Sequence, residues 1–573
     1  MRWLSLLLFS LCFVPLPQET QTGVITGRVV TDDGSGLPGV TVTLTPVAAD
    51  RRTISGRPQN RTFTDEDGNF KFTGLAPVVY SVNASGVKGY VPNPIPVSEW
   101  QDSGYHRIGA NVTITMIKGG AITGKVTNAM GEPLIGVQVN AAMARGAEGS
   151  QDRDGSGIPR FTDDRGVYRL YGLSPGNYVV FTRNRFHPFP SPYDKDGPTY
   201  YPSSTRETAA EVTVTSGGET SGVDIRYRGD RGHAVSGLIS FSGGPGSSSV
   251  SRMVALTNTV TGVVRSDADF FRERFAIYGV TDGEYEITVR WVLASNEEIF
   301  ASAPRRVVVK GADVGGIELK LLPMASIAGK FALEATPGVF ESKRKWSLEE
   351  ALLAIRPVTK PGEATPARSR TVLNGLTEKG EFTVFYLAAD RYFLEPRLPH
   401  ENWYVKALTA PASTSASANT GSAMRGALSA DISRNGITLK AGEKVAGVTV
   451  TIADGASGLS GKVIPVAEGS RLPARLRIHL IPAEARAADE VLRYAEAYVR
   501  SDRSFLLSNL APGKYWLIAR AAPDDETSDP PVAPIAWDAN ERAKLRRQAM
   551  AAKNEIELQP CGRLKDYVLR FDR

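Results

Sequence analysis

Five times along the chain the same spaced pattern returns: an aromatic at i, an apolar residue at i+2, an aliphatic at i+5 and a tyrosine at i+10. The copies are Phe70, Phe72, Leu75 and Tyr80; then Tyr168, Leu170, Leu173 and Tyr178; then Phe275, Ile277, Val280 and Tyr285. Phe382, Val384, Leu387 and Tyr392 form the fourth, and Phe505, Leu507, Leu510 and Tyr515 the fifth. No copy needs a gap. Tyrosine supplies 19 of 573 residues, too few for five in one register to be coincidence. Alternation at i and i+2 describes a strand with one buried face. The stretches that follow, LAPVV, LSPGN, VTDGE, LAADR and LAPGK, carry turn residues. The tyrosine then opens a second alternating strand. Just past a sheet corner, such a residue buries its ring and returns its hydroxyl to the corner backbone. Tyr80, Tyr178, Tyr285, Tyr392 and Tyr515 are therefore expected to be structural corner tyrosines.

A short strand with a central glycine precedes each block: ITGRV around Gly27, ITGKV around Gly124, VSGLI around Gly237, IAGKF around Gly329 and LSGKV around Gly461. Another alternating strand stands between glycine and block, as in Val40, Val42 and Leu44. A closing strand follows each block, as in Val112, Ile114 and Met116. The glycines recur roughly every 90–130 residues, the size of one small sandwich. The predicted fold is all-β: a tandem array of five antiparallel Greek-key-type β-sandwiches with a short C-terminal helical insert. A Rossmann or barrel enzyme needs long helices between strands, and the pattern has none. The expected divisions are 21–118, 119–231, 232–323, 324–454 and 455–573. Residues 409–430, TAPASTSASANTGSAMRGALSA, have too little apolar surface to offset ordering and read as a flexible loop. Residues 538–553, DANERAKLRRQAMAAK, read as a helix opened by aspartate. The tail from Asp538 is basic, which on a helix suits either an anionic surface or a solvated face packed on the last sandwich. Over Ser347–Ile355 an S-x-x-E helix start competes with a strand register at Leu353 and Ile355; a strand is expected.

ITGRVVTDDGSGLPGVTVTLTP followed by TDEDGNFKFTGLAPVVYSV resembles the carboxypeptidase regulatory-like domain, a transthyretin-like sandwich. So do ITGKVTNAMGEPLIGVQV and TDDRGVYRLYGLSPGNYVV. The third to fifth copies resemble it at the glycine strand and the tyrosine block. The resemblance implies the fold. It says little of function, because such modules are appended to peptidases, receptors, adhesins and sugar-active enzymes.

Met1–Val14, MRWLSLLLFSLCFV, has a charged start and a short apolar run ended by Pro15 and Pro17. That is a secretory signal pattern, placed at residues 1–20. Cys12 resembles a lipobox cysteine, but Leu11 stands where a small residue belongs, so an ordinary apolar-region cysteine is preferred. No later run is long and apolar enough to span a bilayer, so the mature chain is expected to be exported without a membrane span, to an extracellular, periplasmic or cell-surface position of a bacterial envelope. Cys561 is then the lone thiol. The excess of positive charge is +6 over 573 residues, too weak for a nucleic-acid partner.

Catalytic motifs are missing from the sequence. The histidines, His106, His187, His233, His400 and His479, are far apart, and no H-x-x-E or H-E-x-x-H occurs. The G-x-S-x-G spacing occurs at Gly172, Ser174 and Gly176, but it falls on the turn between two strands and not on the strand-to-helix elbow of a nucleophile; no GxxxxGK[ST] loop is present. Asp65-Glu66-Asp67-Gly68-Asn69 lies between alternating strands and reads as a hairpin turn rather than a calcium loop. Related Cna B-type adhesin sandwiches carry Lys–Asn isopeptide bonds; Lys125, Lys330 and Lys462 stand in first strands here. Arg28 and Leu238 replace the lysine in two copies, and only Glu395 approaches the needed acid. Asn60, Asn83 and Asn111 head N-x-S/T sequons. The expectation is a non-enzyme with no catalytic or metal residues and no cofactor, a binding or spacer protein. Alternatives are carbohydrate binding through a starch-binding-like sandwich and an accessory role in an envelope transporter or protease complex. The partner expected is a polysaccharide or an envelope protein. The candidate contact surface is a proline-stiffened insert in the second unit carrying Phe186, Phe189, Tyr193, Tyr200 and Tyr201. The rival reading of that insert is a cover or hinge.

Overall fold

The computed structural model describes residues 22–47, 60–87, 89–93, 104–144, 160–183, 196–241, 249–259, 264–266, 268–293, 299–334, 346–358, 372–411, 429–466, 471–473, 475–522, 534 and 537–571. The signal segment lies outside them. Strands dominate, and one α-helix is present among the described residues.

In the first unit one sheet places the Asn69–Leu75 strand against Gly23–Thr31, and Gly23–Thr31 against the closing strand Asn111–Lys118. Facing it, Thr41–Pro46 lies between Asn60–Phe63 and the corner strand Tyr80–Ser85. Ile25, Val29, Val42, Leu44, Phe70, Leu75 and Val112 fill the space between. The second, fourth and fifth units repeat this two-sheet plan around cores of their own. The third departs from it. Its strand Ile299–Ser302 pairs with both Gly283–Leu293 and Val314–Pro323, joining all nine strands into one continuous sheet around one core.

Most pairs are antiparallel. The exception is systematic: every closing strand runs parallel to its glycine strand, as in Gly27↔Val112, Gly237↔Ile317, Gly329↔Val448 and Gly461↔Tyr567. The second unit does the same through Thr220↔Ile122 and Ile225↔Val126.

The same register explains the glycines. Each faces the block aromatic across the strand pair: Gly27↔Phe70, Gly124↔Tyr168, Gly237↔Phe275, Gly329↔Phe382 and Gly461↔Phe505. A Cβ on any of them would overlap a closing-strand carbonyl oxygen, that of Val112, Val223, Ile317, Val448 or Tyr567. At Gly329 and Gly461 it would also meet Cζ of Phe382 and Phe505, at 2.8 and 2.9 Å. The ring occupies the space that the missing side chain leaves. Four residues past the aromatic, a bulge needs a left-handed residue. Gly74, Gly172 and Gly279 supply it, whereas the fourth and fifth units use Tyr386 (φ 65°) and Asn509 (φ 57°).

The helix spans Ala539–Ala552, and the Asp538 carboxylate accepts the amides of Asn540 and Glu541, both at 2.8 Å. Leu545 and Ala549 pack on Ile481 and Ile518 of the fifth unit, and Arg542 pairs with Asp489 at 3.3 Å. Near residue 350 both competing signals are used. Ser347 and Glu350 cap a single 3₁₀ turn, Leu348–Glu350, and the strand starts only at Leu352. Thr409–Pro411 and Ser429–Asp431 pair as strands, so both ends of the expected flexible loop are strand; residues 412–428 lie outside the described residues.

Gly329→Ala is expected to cost its unit about 1–3 kcal/mol by overpacking. Hydrogen exchange on the full chain checks this: peptides from 324–454 lose protection while those of the first three units keep theirs.

Candidate functional site

All five expected corner tyrosines adopt one geometry. The hydroxyl of each donates to the carbonyl four residues back: Tyr80 to Ala76 (3.0 Å), Tyr178 to Ser174 (2.8 Å), Tyr285 to Thr281 (2.9 Å), Tyr392 to Ala388 (3.0 Å) and Tyr515 to Ala511 (2.7 Å). The bond spans the turn between block strand and corner strand, fixing the angle at which one sheet passes to the other. Arg493 adds to the fifth, its Nε donating to the Tyr515 hydroxyl at 3.2 Å. Burial pushes the Tyr80, Tyr392 and Tyr515 phenols up, Tyr392 to about 12.

The second-unit insert is only partly described; Phe186, Phe189 and Tyr193 lie outside the described residues. Tyr200 is 6% exposed and stacks on Phe181, with ring centroids 5.0 Å apart. Burial pushes its phenol up to about 12, with Arg206 pulling the other way. Tyr201 packs against the second core, and its amide donates to Val180 O at 2.9 Å. Upstream, Asp196 accepts the Tyr227 hydroxyl at 2.8 Å, and Gly197 N donates to Asp230 O at 2.8 Å. This end of the insert therefore lies down on its own unit and on the segment leading into the third.

Groups that could do chemistry are dispersed. His233 sits 3.3 Å from Asp282, and His479, 2% exposed, sits 3.4 Å from Glu496. The His400 ring lies 5.3 Å from Trp346 and 5.8 Å from Trp403. Burial lowers the His106 and His400 pKa values. His187 is outside the described residues. Among the described residues no three His, Cys, Asp or Glu side chains gather where a metal could be held. The Asp65 carboxylate accepts the amides of Asp67 (3.0 Å) and Asn69 (2.7 Å), closing a hairpin turn. Asp163 does the same for Arg165 and Val167. Lys125, Lys330 and Lys462 are exposed, whereas an internal isopeptide bond needs a lysine in the core; Glu395 pairs with Arg356 at 3.0 Å.

The sequence reading missed the junctions. The Asn509 side chain donates to the carbonyls of His400 and Trp403, both at 2.7 Å, binding fifth unit to fourth. Trp537 stacks on Phe393 with centroids 4.2 Å apart, and Arg563 bonds Asn402. Arg107 of the first unit donates to Glu350 O of the fourth at 2.9 Å. One signal was available: YFLEPR and YWLIAR place bulky apolar residues on the outward face, Phe393 in one and Trp516 with Ile518 in the other, whereas YSVNAS alternates.

Residues 24–104 match the carboxypeptidase regulatory-like domain family. The match covers the first unit alone. No curated relative matches the chain. Among solved structures it is similar to the Bacillus anthracis TIE protein at 13% identity, over 52% of this chain and 51% of that one (TM-score 0.15), so the match spans about half of that protein. It is also similar to the minor pilin of Streptococcus agalactiae, at 14% identity over 36% and 96% of the two chains (TM-score 0.21). The major pilin subunit of Bacillus cereus matches at 9% identity over 76% and 100% (TM-score 0.13).

Tyr178→Phe is expected to cost about 1 kcal/mol through the lost bond, and Tyr178→Ala about 3–5 kcal/mol through the lost ring; denaturant melts followed by exchange in residues 119–231 separate the two. Tyr392 gives a pH test. Its folded pKa stands above the ordinary 10.0, so its contribution to the fourth unit's stability is full below pH 10 and is lost as pH rises toward 12. Alkaline melts of the parent against Tyr392→Phe check it, the variant losing less over that interval.

Proposed function

We propose that the chain is an exported, non-catalytic protein whose sandwich units space and present binding surfaces at the cell envelope. The observation that carries this reading is what the five units share. Each repeats the glycine contact, the bulge and the corner bond, and these are devices of folding. Several described side chains of reactive types serve turns, caps and junctions: Asp65 and Asp163 in hairpins, Ser347 and Glu350 in a cap, Asn509 at a junction. The domain matched by the first unit is a regulatory-like module. No helix among the described residues is long and apolar enough to cross a membrane, in keeping with export through the expected signal segment. Repeated sandwiches at low mutual sequence similarity suit a protein that sets distance and offers several unlike surfaces.

Cell fractionation with protease treatment of intact cells tests the placement, and zinc analysis with peptide and ester hydrolysis assays tests the chemistry. The expected results are an exported protein, no stoichiometric zinc and no turnover. One zinc per chain, measurable hydrolysis or retention in the cytoplasm overturns the reading.

A further inference from the structure

The outward face of the corner-strand sheet is treated differently from unit to unit. In the second unit Phe181 faces outward and is covered by Tyr200. In the fourth, Phe393 is covered by Trp537. In the fifth, Ile481 and Ile518 lie beneath the helix residues Leu545 and Ala549. Each of these faces carries apolar side chains because the chain itself returns to bury them.

The first unit has no such apolar row. Its corner strand places Ser81, Asn83 and Ser85 outward, and the neighbouring strand places Thr41, Thr43 and Thr45 beside them. The register aligns Thr41 with Phe63 on one side and Ser85 on the other. At the other end Ser81 lies between Thr45 and Tyr105. Phe63 is 69% exposed and Tyr105 37%, so the two rings stand at opposite corners of a field of hydroxyls and one amide. Three strand spacings and a four-residue offset put them about 20 Å apart. Asn83 Nδ2 donates to Ser81 Oγ at 3.0 Å, which fixes the amide's orientation on the sheet.

We propose that this face of the first unit binds a neutral polysaccharide laid between Phe63 and Tyr105. Among the described residues of its four strands Arg61 is the one charged side chain of this face, so hydroxyls, one amide and the two rings supply most of what a ligand would touch. Hydroxyl and amide groups both donate and accept, which matches the vicinal hydroxyls of sugars. Exposed aromatic rings take the apolar faces of pyranose rings. The groups stand on a paired sheet, so little order is lost on binding. A peptide strand would pair with a sheet edge instead, and a protein hot spot needs a pocket that small side chains on a flat sheet do not make. The proposal goes beyond the function above, which requires no ligand of a particular class.

The test uses the full-length exported protein with insoluble cellulose, starch and chitin, and with an alginate gel as the anionic probe. Retention on at least one neutral polymer is expected, little changed by salt. Phe63→Ala with Tyr105→Ala should lower that retention at least tenfold with an unchanged melting temperature, because both rings are exposed. Asn83→Ala should lower it less. No retention on any neutral polymer overturns the proposal, as does equal retention of the double variant. Salt-sensitive binding to alginate alone assigns the face to a polyanion and also overturns it.

Discussion

Each unit is built on one close approach: a closing-strand carbonyl oxygen lies where a side chain on the glycine strand would begin. The approach is possible because the closing strand runs parallel to that strand, and the block aromatic then fills the inner space from the other side. Parallel neighbours cannot be joined by a tight hairpin, so a long connection must cross from the corner strand to the closing strand. The units diverge within that connection. It holds the insert with Tyr200 in the second unit, the Ile299–Ser302 strand that closes the third, and the helix of the fifth. A fixed frame and a variable crossover are thus two sides of one constraint.

The crossover segments decide what each sandwich shows to its surroundings. Where the corner strand is apolar on both sides, the returning chain lies across it and the unit gains a second small core, as around Phe181 with Tyr200 and around Ile518 with Leu545. In the fourth unit the cover comes from the fifth, since Trp537 reaches Phe393. Together with Asn509 and Arg563, this makes the last two units one packed pair instead of two beads on a linker. The first unit alternates strictly at the same strand and keeps a polar face.

The bulge position shows how a frame position acquires a second use. Glycine reaches its left-handed backbone without cost in the first three units. Asn509 tolerates it, and its amide gains two carbonyl partners in the fourth unit. Tyr386 has no such exemption and holds a backbone conformation unfavourable for a large side chain. The surrounding sheet pairing of Glu381–Leu387 with Ala325–Glu334 enforces it.

Local sequence determined the frame. The block, the glycine and the corner tyrosine are each set by alternation, turn chemistry or steric need within a few residues, so their spacing marked five β units, and a run of helix formers marked the helix behind Asp538. Tertiary structure decided the remainder. That closing strands are parallel cannot be read from alternation, because the period of two is the same for either direction. Tyr200 looked available in an aromatic, proline-rich insert, and only the fold turned it onto Phe181. The junction residues Asn509 and Trp537 find their partners about a hundred residues or more away, where no local pattern reaches. Even the polar face of the first unit needed the register: YSVNAS marks one strand as half exposed, but only pairing brings Phe63 and Tyr105 to opposite corners of the same surface.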